Sequence, residues 1–171
     1  DSSAPGRPAW SAPLELAGER GAASAVFPSG AVVVAARERL LCLDRAGNEL
    51  WSRTLGEGTP RRLALASGIV VGLARDGSAR AFDARLGLPL WTLALEEPEA
   101  WTGPLLGEAH ALFVAQAGAE APRVLVLDLH TGRARADFRL PPGEWKAPLE
   151  ASAWVSGGRL IVPAFANRAP A

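Results

Sequence analysis

Short runs of apolar and β-branched residues, separated by tight polar turns, follow one another along most of the chain. Runs over residues 31–36 and 39–43 flank a polar pair, and runs over 69–74 and 78–82 flank a turn that contains Asp-Gly at 76–77. Asp-Gly between two apolar runs is a strong hairpin signal, and runs of five or six residues are too short for typical helices. The pattern therefore predicts β-hairpins and almost no helix.

The hairpins recur with a period of about 40 residues. Segments that begin at Trp10, Trp51 and Trp91 share a tryptophan, a small hydroxyl residue, two variable positions and a leucine. A fixed period of this length is the signature of a repeat architecture, and it is not expected of a flat β-sandwich, which is the competing all-β interpretation. We therefore predict a β-propeller of four-stranded antiparallel blades.

Each period holds four predicted strands, which divides the chain into blade units. We predict one partial or small propeller over residues 1–171, and its units cover about 22–55, 61–95, 102–140 and 150–166. Residues 9–16 resemble the outer strand of a preceding or closing blade. About three and a half blades are therefore expected.

An acidic turn stands before the outer strand of each of the first three units, and its residues carry a resemblance. In the second unit Ala81, Asp83, Gly87 and Trp91 stand at the spacing of Ala-x-Asp-x-x-Thr-Gly-x-x-x-Trp, with Leu86 in the threonine position. This pattern resembles the tryptophan-docking motif of the quinoprotein-type (PQQ-like) β-propeller repeat. The resemblance covers nearly the whole chain.

The other two copies depart from the motif. The third keeps Asp128, Thr131 and Gly132 but has Ala136 in the tryptophan position. The first is one residue shorter, with Cys42 in the alanine position, and it contributes Asp44, Gly47 and Trp51.

Each part of the motif has a physical role. An indole at the start of the outer strand can dock on the turn of the adjacent blade and bury on the order of 200 Å². The glycine allows a tight or left-handed turn, and the aspartate can accept backbone N–H bonds within it. We expect a looser contact at Ala136, where the indole is missing.

The family resemblance also bears on whether this chain forms a whole ring, because members of the family are usually closed rings of seven or eight blades. It implies that the chain is part of a larger ring, and the absence of an initiator methionine suggests a start behind a removed segment or an artificial boundary. The alternative is a four-bladed ring closed by residues 10–16 beside 159–166, which would hide the sheet edges.

Composition and charge exclude several classes of function. Eighteen basic residues balance 18 acidic ones, so we expect no nucleic-acid binding and no attraction to anionic membranes by bulk charge. No apolar run approaches the roughly 20 residues that span a bilayer, so direct membrane insertion is not expected. The single cysteine, Cys42, cannot form an internal disulfide or a cysteine-cluster metal site.

We predict no catalytic residue, no metal ligand and no cofactor. Cys42 lies in a Leu-Cys-Leu strand, which favours a buried core residue over a reactive thiol. The recurring aspartates favour turn roles, because equivalent positions in successive blades do not converge on one site. His110 and His130 lack metal-ligand spacing, and the acidic stretch 96–99 favours a solvated connection between blades over a divalent-cation site with oxygen ligands.

Two loop tryptophans, Trp101 and Trp145, are possible interface residues, whereas core packing is favoured for Trp154. The resemblance includes outer-membrane assembly lipoproteins and extracellular sensor domains of bacterial kinases. It therefore implies a non-enzymatic interaction module, an extracytoplasmic scaffold or sensor in the periplasm or outside the cell. Its partner would be a protein or the remaining part of the propeller. The alternative is part of a calcium- and quinone-dependent dehydrogenase whose cofactor ligands lie outside this chain.

Overall fold

The structure is a computed structural model. It describes residues 23–36, 38–74, 76–96, 101–115 and 121–141 together with the backbone of two short strands at 154–156 and 159–161. Trp10, Trp145, residues 9–16, most of 150–166 and the side chain of Trp154 lie outside the described part, so the predictions made for them stay predictions.

Fourteen strands and one short 3-10 turn, Gly56–Gly58, account for the regular structure of the described residues. The first sheet contains β1 (Ala23–Val26), β2 (Val32–Ala36), β3 (Arg39–Leu43) and β4 (Glu49–Thr54). The second contains β5 (Pro60–Ala66), β6 (Ile69–Ala74), β7 (Ser78–Asp83) and β8 (Pro89–Ala94). The third contains β9 (Trp101–Leu106), β10 (His110–Ala115), β11 (Arg123–Asp128) and β12 (Ala134–Arg139). A final antiparallel pair joins β13 (Trp154–Ser156) to β14 (Arg159–Ile161).

Each four-stranded sheet is an antiparallel meander in which neighbours in sequence are neighbours in space. The first strands of successive sheets touch, β1 against β5 and β5 against β9, whereas the fourth strand of each sheet forms its outer edge. The sheets therefore follow one another around an inner side, as the blades of a propeller do.

The hydrophobic core lies between the sheets. One cluster packs Val33 and Leu40 of the first sheet against Val70 and Phe82 of the second. Another packs the second sheet against the third, with Phe113 fully buried. The middle strands of the sheets are mostly buried, and β6, whose sequence is apolar throughout, is buried along its whole length. Among the residues that the structure describes, no helix is long and apolar enough to cross a membrane.

Candidate functional site

The first contact between blades is built on Trp51, at the third position of β4. Its indole Nε1 donates a hydrogen bond to the carbonyl oxygen of Ala84 at 3.2 Å, in the turn that follows β7. The ring lies so close to Gly87 that a Cβ at this glycine would sit 2.5 Å from Trp51 Cε3. Gly87 also has a φ of +66°. The indole thus takes the space of a side chain, and only 8% of Trp51 is exposed.

The second contact repeats this geometry one blade further on. Trp91 Nε1 donates to the carbonyl oxygen of Leu129 at 2.9 Å. A Cβ at Gly132, whose φ is +67°, would lie 2.6 Å from Trp91 Cδ2. The equivalent strand position in the third sheet is Ala136. The side chains of the unit that follows the third sheet lie outside the described part, so the looser contact expected at Ala136 stays a prediction.

The aspartates of the motif hold their own turns. Asp83 Oδ1 accepts the backbone N–H groups of Arg85 and Leu86 at 2.9 and 2.7 Å. Asp44 accepts hydrogen bonds from the side-chain amide and from the backbone N–H of Asn48, and these bonds lower the pKa of its carboxyl group.

Asp128 holds the third turn in the same way. It accepts bonds from Arg135, from the hydroxyl and N–H of Thr131 and from the N–H of His130. These bonds, with Arg135 the largest contributor, hold its pKa well below the usual range. The motif residues therefore lie in successive turns with their carboxylates already engaged, and they do not converge on one pocket.

Arg53 adds to the first contact and was missed by the sequence analysis. Its Nε donates to the carbonyl oxygen of Gly87 at 3.1 Å, and its Nη2 donates to that of Leu86 at 3.0 Å. Arg53 follows Trp51 by two residues, so both side chains leave β4 on the face toward the next blade. The third sheet has Phe138 at the corresponding place, and 43% of it is exposed.

Trp101 was predicted as a loop aromatic available to a partner, and the structure instead places it in the core. It is the first residue of β9, only 3% exposed, and it packs in the cluster between the second and third sheets. Its Nε1 donates to the carbonyl oxygen of Glu96, and the guanidinium of Arg123 lies over its ring, 5.6 Å from the centroid. The aromatic ring is buried because residues of the second and third sheets pack around it.

A cleft of about 510 Å³ opens on the inner side, where the first strands of the three sheets meet. Its walls include Ser24 of β1, Arg61, Arg62 and Leu63 of β5, and Pro104 and Leu105 of β9. Arg61 Nη2 donates to the carbonyl oxygen of Trp101 at 3.3 Å, which links β5 to β9. None of these residues was predicted as a site residue, and only the Arg-Arg pair at the start of a unit could have indicated them.

Metal-ligating side chains form no cluster among the described residues. Among them, no three His, Cys, Asp or Glu side chains form a group that could hold a metal ion. His110 and His130 are both exposed, at the start of β10 and in the turn after β11. Glu96 pairs with Arg123 at 3.4 Å. Cys42 is buried, and burial raises the pKa of its thiol.

Comparison with known proteins gives a family and a set of structural neighbours. The profile of the family described as "Outer membrane protein assembly factor BamB" matches residues 2–165. Comparison with curated protein sequences gives no significant match.

Three solved structures illustrate the likeness. BamB from Moraxella catarrhalis is 19% identical, with a TM-score of 0.55 over 68% of this chain and 36% of that chain. The computationally designed protein Ika4 is 23% identical, with a TM-score of 0.58 over 72% of this chain and 76% of that chain. Quinohemoprotein alcohol dehydrogenase from Comamonas testosteroni is 22% identical, with a TM-score of 0.55 over 75% of this chain and 22% of that chain.

The chain spans about a third of the length of the BamB structure and about a fifth of the dehydrogenase. At these identities the likeness concerns the fold. BamB and the quinoprotein dehydrogenases are β-propeller proteins, so the predicted all-β propeller fold is confirmed.

Proposed function

We infer the function of this chain from one premise, that it belongs to the PQQ-like repeat family described as outer membrane protein assembly factor BamB. On that premise we propose a non-enzymatic interaction module, an extracytoplasmic scaffold or sensor in the periplasm or outside the cell. It binds a protein partner on the inner side of the blades. The family description supports a role in protein assembly, and the chain contributes a propeller module to it.

The observation that carries the proposal is the inner cleft. Its walls combine Arg61 and Arg62, which follow each other on β5, with apolar Leu63, Pro104 and Leu105. Arginine beside apolar surface is the composition favoured in protein interfaces. Because no acidic side chain lines the cleft among the described residues, the chemistry suits a partner segment that carries carboxylates next to apolar residues.

The test reverses one charge of the cleft. Arg62→Glu places a carboxylate on β5, and the matched control Arg133→Glu makes the same reversal at an exposed turn position between β11 and β12. The full-length protein is expressed in its native host and cross-linked in intact cells, and the cross-linked proteins are identified by mass spectrometry. We expect the wild type and Arg133→Glu to capture the same partner and Arg62→Glu to lose at least about tenfold of it, since close charge pairs at interfaces contribute on this scale.

Equal capture by all three proteins would contradict a partner site in the cleft. The same preparations are assayed for dye-linked alcohol or sugar oxidation with added quinone cofactor and calcium. Turnover there would favour the dehydrogenase alternative over the scaffold.

A further inference from the structure

The first sheet has an apolar face that points away from the second sheet. Pairing between β2 and β3 sets Val34 opposite Leu41 and Val32 opposite Leu43. Because side chains alternate along a strand, these residues lie on the opposite face from Val33, which packs against the second sheet. Among the described residues, the cluster that they form contains only members of the first sheet. Val34, Leu41 and Leu43 are nevertheless no more than 7% exposed, so the cover of this face is to be sought outside the described part.

In the second and third sheets the equivalent face receives the outer strand of the preceding sheet. The residue before each turn aspartate, Phe82 in the second sheet and Leu127 in the third, packs in the cluster shared with the preceding sheet. Its counterpart in the first sheet is Leu43, which precedes Asp44. The repeat therefore equips the first sheet to receive an outer strand as well.

The turn beside this face has the backbone hydrogen bonds of the two turns that receive an indole. Gly47 N–H bonds to the carbonyl oxygen of Asp44 at 3.0 Å, and Asp44 N–H bonds to that of Asn48 at 2.9 Å. The same two bonds close the other turns, in which they join Asp83 to Gly87 and Leu88, and Asp128 to Gly132 and Arg133. Gly47 also has a positive φ, +87°. Although this turn is one residue shorter, it places its glycine in the same way.

We propose that the indole of Trp10 docks on this turn and that the strand around it covers the apolar face of the first sheet. Trp10 precedes Trp51 by about as many residues as Trp51 precedes Trp91, which is the spacing of the repeat. In both observed contacts the indole Nε1 donates to the carbonyl oxygen of the residue directly after the turn aspartate. The equivalent acceptor for Trp10 is the carbonyl oxygen of Arg45. Arg45 is itself exposed, so the contact uses its carbonyl group and not its side chain.

Leu14 extends this contact from the turn to the sheet. The leucine four residues after each docked tryptophan, Leu55 or Leu95, packs in the same cluster as that tryptophan. Leu14 stands four residues after Trp10. Its place is therefore against Leu41 and the neighbouring apolar residues of the first sheet.

The chain is long enough for this path. Residues 15–22 link Leu14 to β1, whereas the shorter stretch 56–59 suffices between Leu55 and β5. The contact lies on the face of the first sheet that points away from the second, and it does not rest on the proposed function at the inner cleft.

The test follows the indole N–H groups of the full chain by NMR after 15N-labelling of tryptophan, with Trp10→Phe to identify the Trp10 signal. We expect the Trp10 N–H to exchange with solvent at least about tenfold more slowly in the native protein than in urea, as a buried, hydrogen-bonded group does. Gly47→Ala adds a Cβ where the ring should lie, so it should remove this protection and leave that of Trp51 and Trp91. Gly68→Ala is the matched control, because its φ is +73° and a Cβ there meets nothing within 4 Å.

A second pair of variants tests the strand and does not depend on the folding of Gly47→Ala. Leu14→Ser should lower the protection of the Trp10 N–H, whereas Glu15→Ser, on the other side of the same strand, should leave it unchanged. Retained protection of Trp51 and Trp91 establishes that each variant is folded.

Three results would overturn the proposal. One is a Trp10 N–H that exchanges as fast in the native protein as in urea. Another is a Trp10 that stays protected in Gly47→Ala or responds equally to Leu14→Ser and Glu15→Ser. The third is a protection that rises with protein concentration, because Trp10 would then dock on a second copy and not within its own chain.

Discussion

Gly87→Ala tests whether the indole of Trp51 holds the first two blades together. The added methyl group would sit 2.5 Å from Trp51 Cε3, and the residue would keep a φ of +66°. Two costs therefore combine. A non-glycine residue in the left-handed region costs about 1–2 kcal/mol. Displacement of the buried indole adds about 2–3 kcal/mol, less than the roughly 3–5 kcal/mol typical of truncating a buried aromatic side chain to alanine, because the ring shifts and is not removed.

A second glycine separates the two costs. Gly68 has a φ of +73°, and a Cβ there would meet nothing within 4 Å. Gly68→Ala should therefore lose only the backbone part, about 1–2 kcal/mol. Gly87→Ala should lose about 3–5 kcal/mol, because the ring must leave its position as well. In the background of Trp51→Ala the cost of Gly87→Ala should fall back to that of Gly68→Ala.

The assay is urea unfolding of all four variants followed by far-UV circular dichroism, so that loss of a tryptophan does not change the signal. The expected result is a coupling of about 2–3 kcal/mol between positions 51 and 87, within the range for residues in contact. Additive costs, or equal costs for Gly68→Ala and Gly87→Ala, would refute the view that the indole occupies the side-chain space of the glycine.

Three further predictions use other residues of the described blades. Arg53→Ala removes two bonds to carbonyl groups of the next blade and should lower the free energy of unfolding by about 1–2 kcal/mol in the same urea assay. Because the pKa values of Asp44 and Asp128 are lowered in the folded state, stability should be full above the unfolded value near 4 and be lost as pH falls through the folded values. Urea midpoints between pH 7 and 2.5 measure this loss, and Asp128→Asn should flatten the curve. Cys42 should react with a thiol reagent at pH 8 at least about tenfold more slowly in the folded protein than in urea, because burial excludes the reagent and raises the thiol pKa.

The fold was predictable because its signals are local and repeated. Alternating short apolar runs fix strand type, and the Asp and Gly of each turn act within a few residues of their own position. The recurrence of Trp51 and Trp91 at one spacing then shows that neighbouring units are alike, which a single strand pattern cannot show. The described residues also contain almost no helix, as the lengths of the apolar runs predict.

Contacts between different units were less predictable, because the sequence does not show which faces meet. Trp101 illustrates this difference. Its Glu-Ala-Trp-Thr-Gly-Pro surroundings are typical of a loop, yet the residue starts β9 and its environment is set by Arg123, a residue 22 positions away, and by the second sheet. The guanidinium bonds of Arg53 to the next blade depend in the same way on a distance between sheets that only the assembled fold defines.

The contrast between local repeated signals and contacts between units explains why the repeat predicts architecture better than function. A residue that recurs in every blade serves a contact that recurs in every blade. Asp83 and Gly87 shape the turn of their own blade, and Trp91 packs against the turn of the next blade. A binding surface needs residues that make one blade different from its neighbours. Arg61 and Arg62 on β5 are such departures, and both belong to the second blade. The second blade, which matches the repeat motif best, is therefore also where substitutions should separate binding from folding.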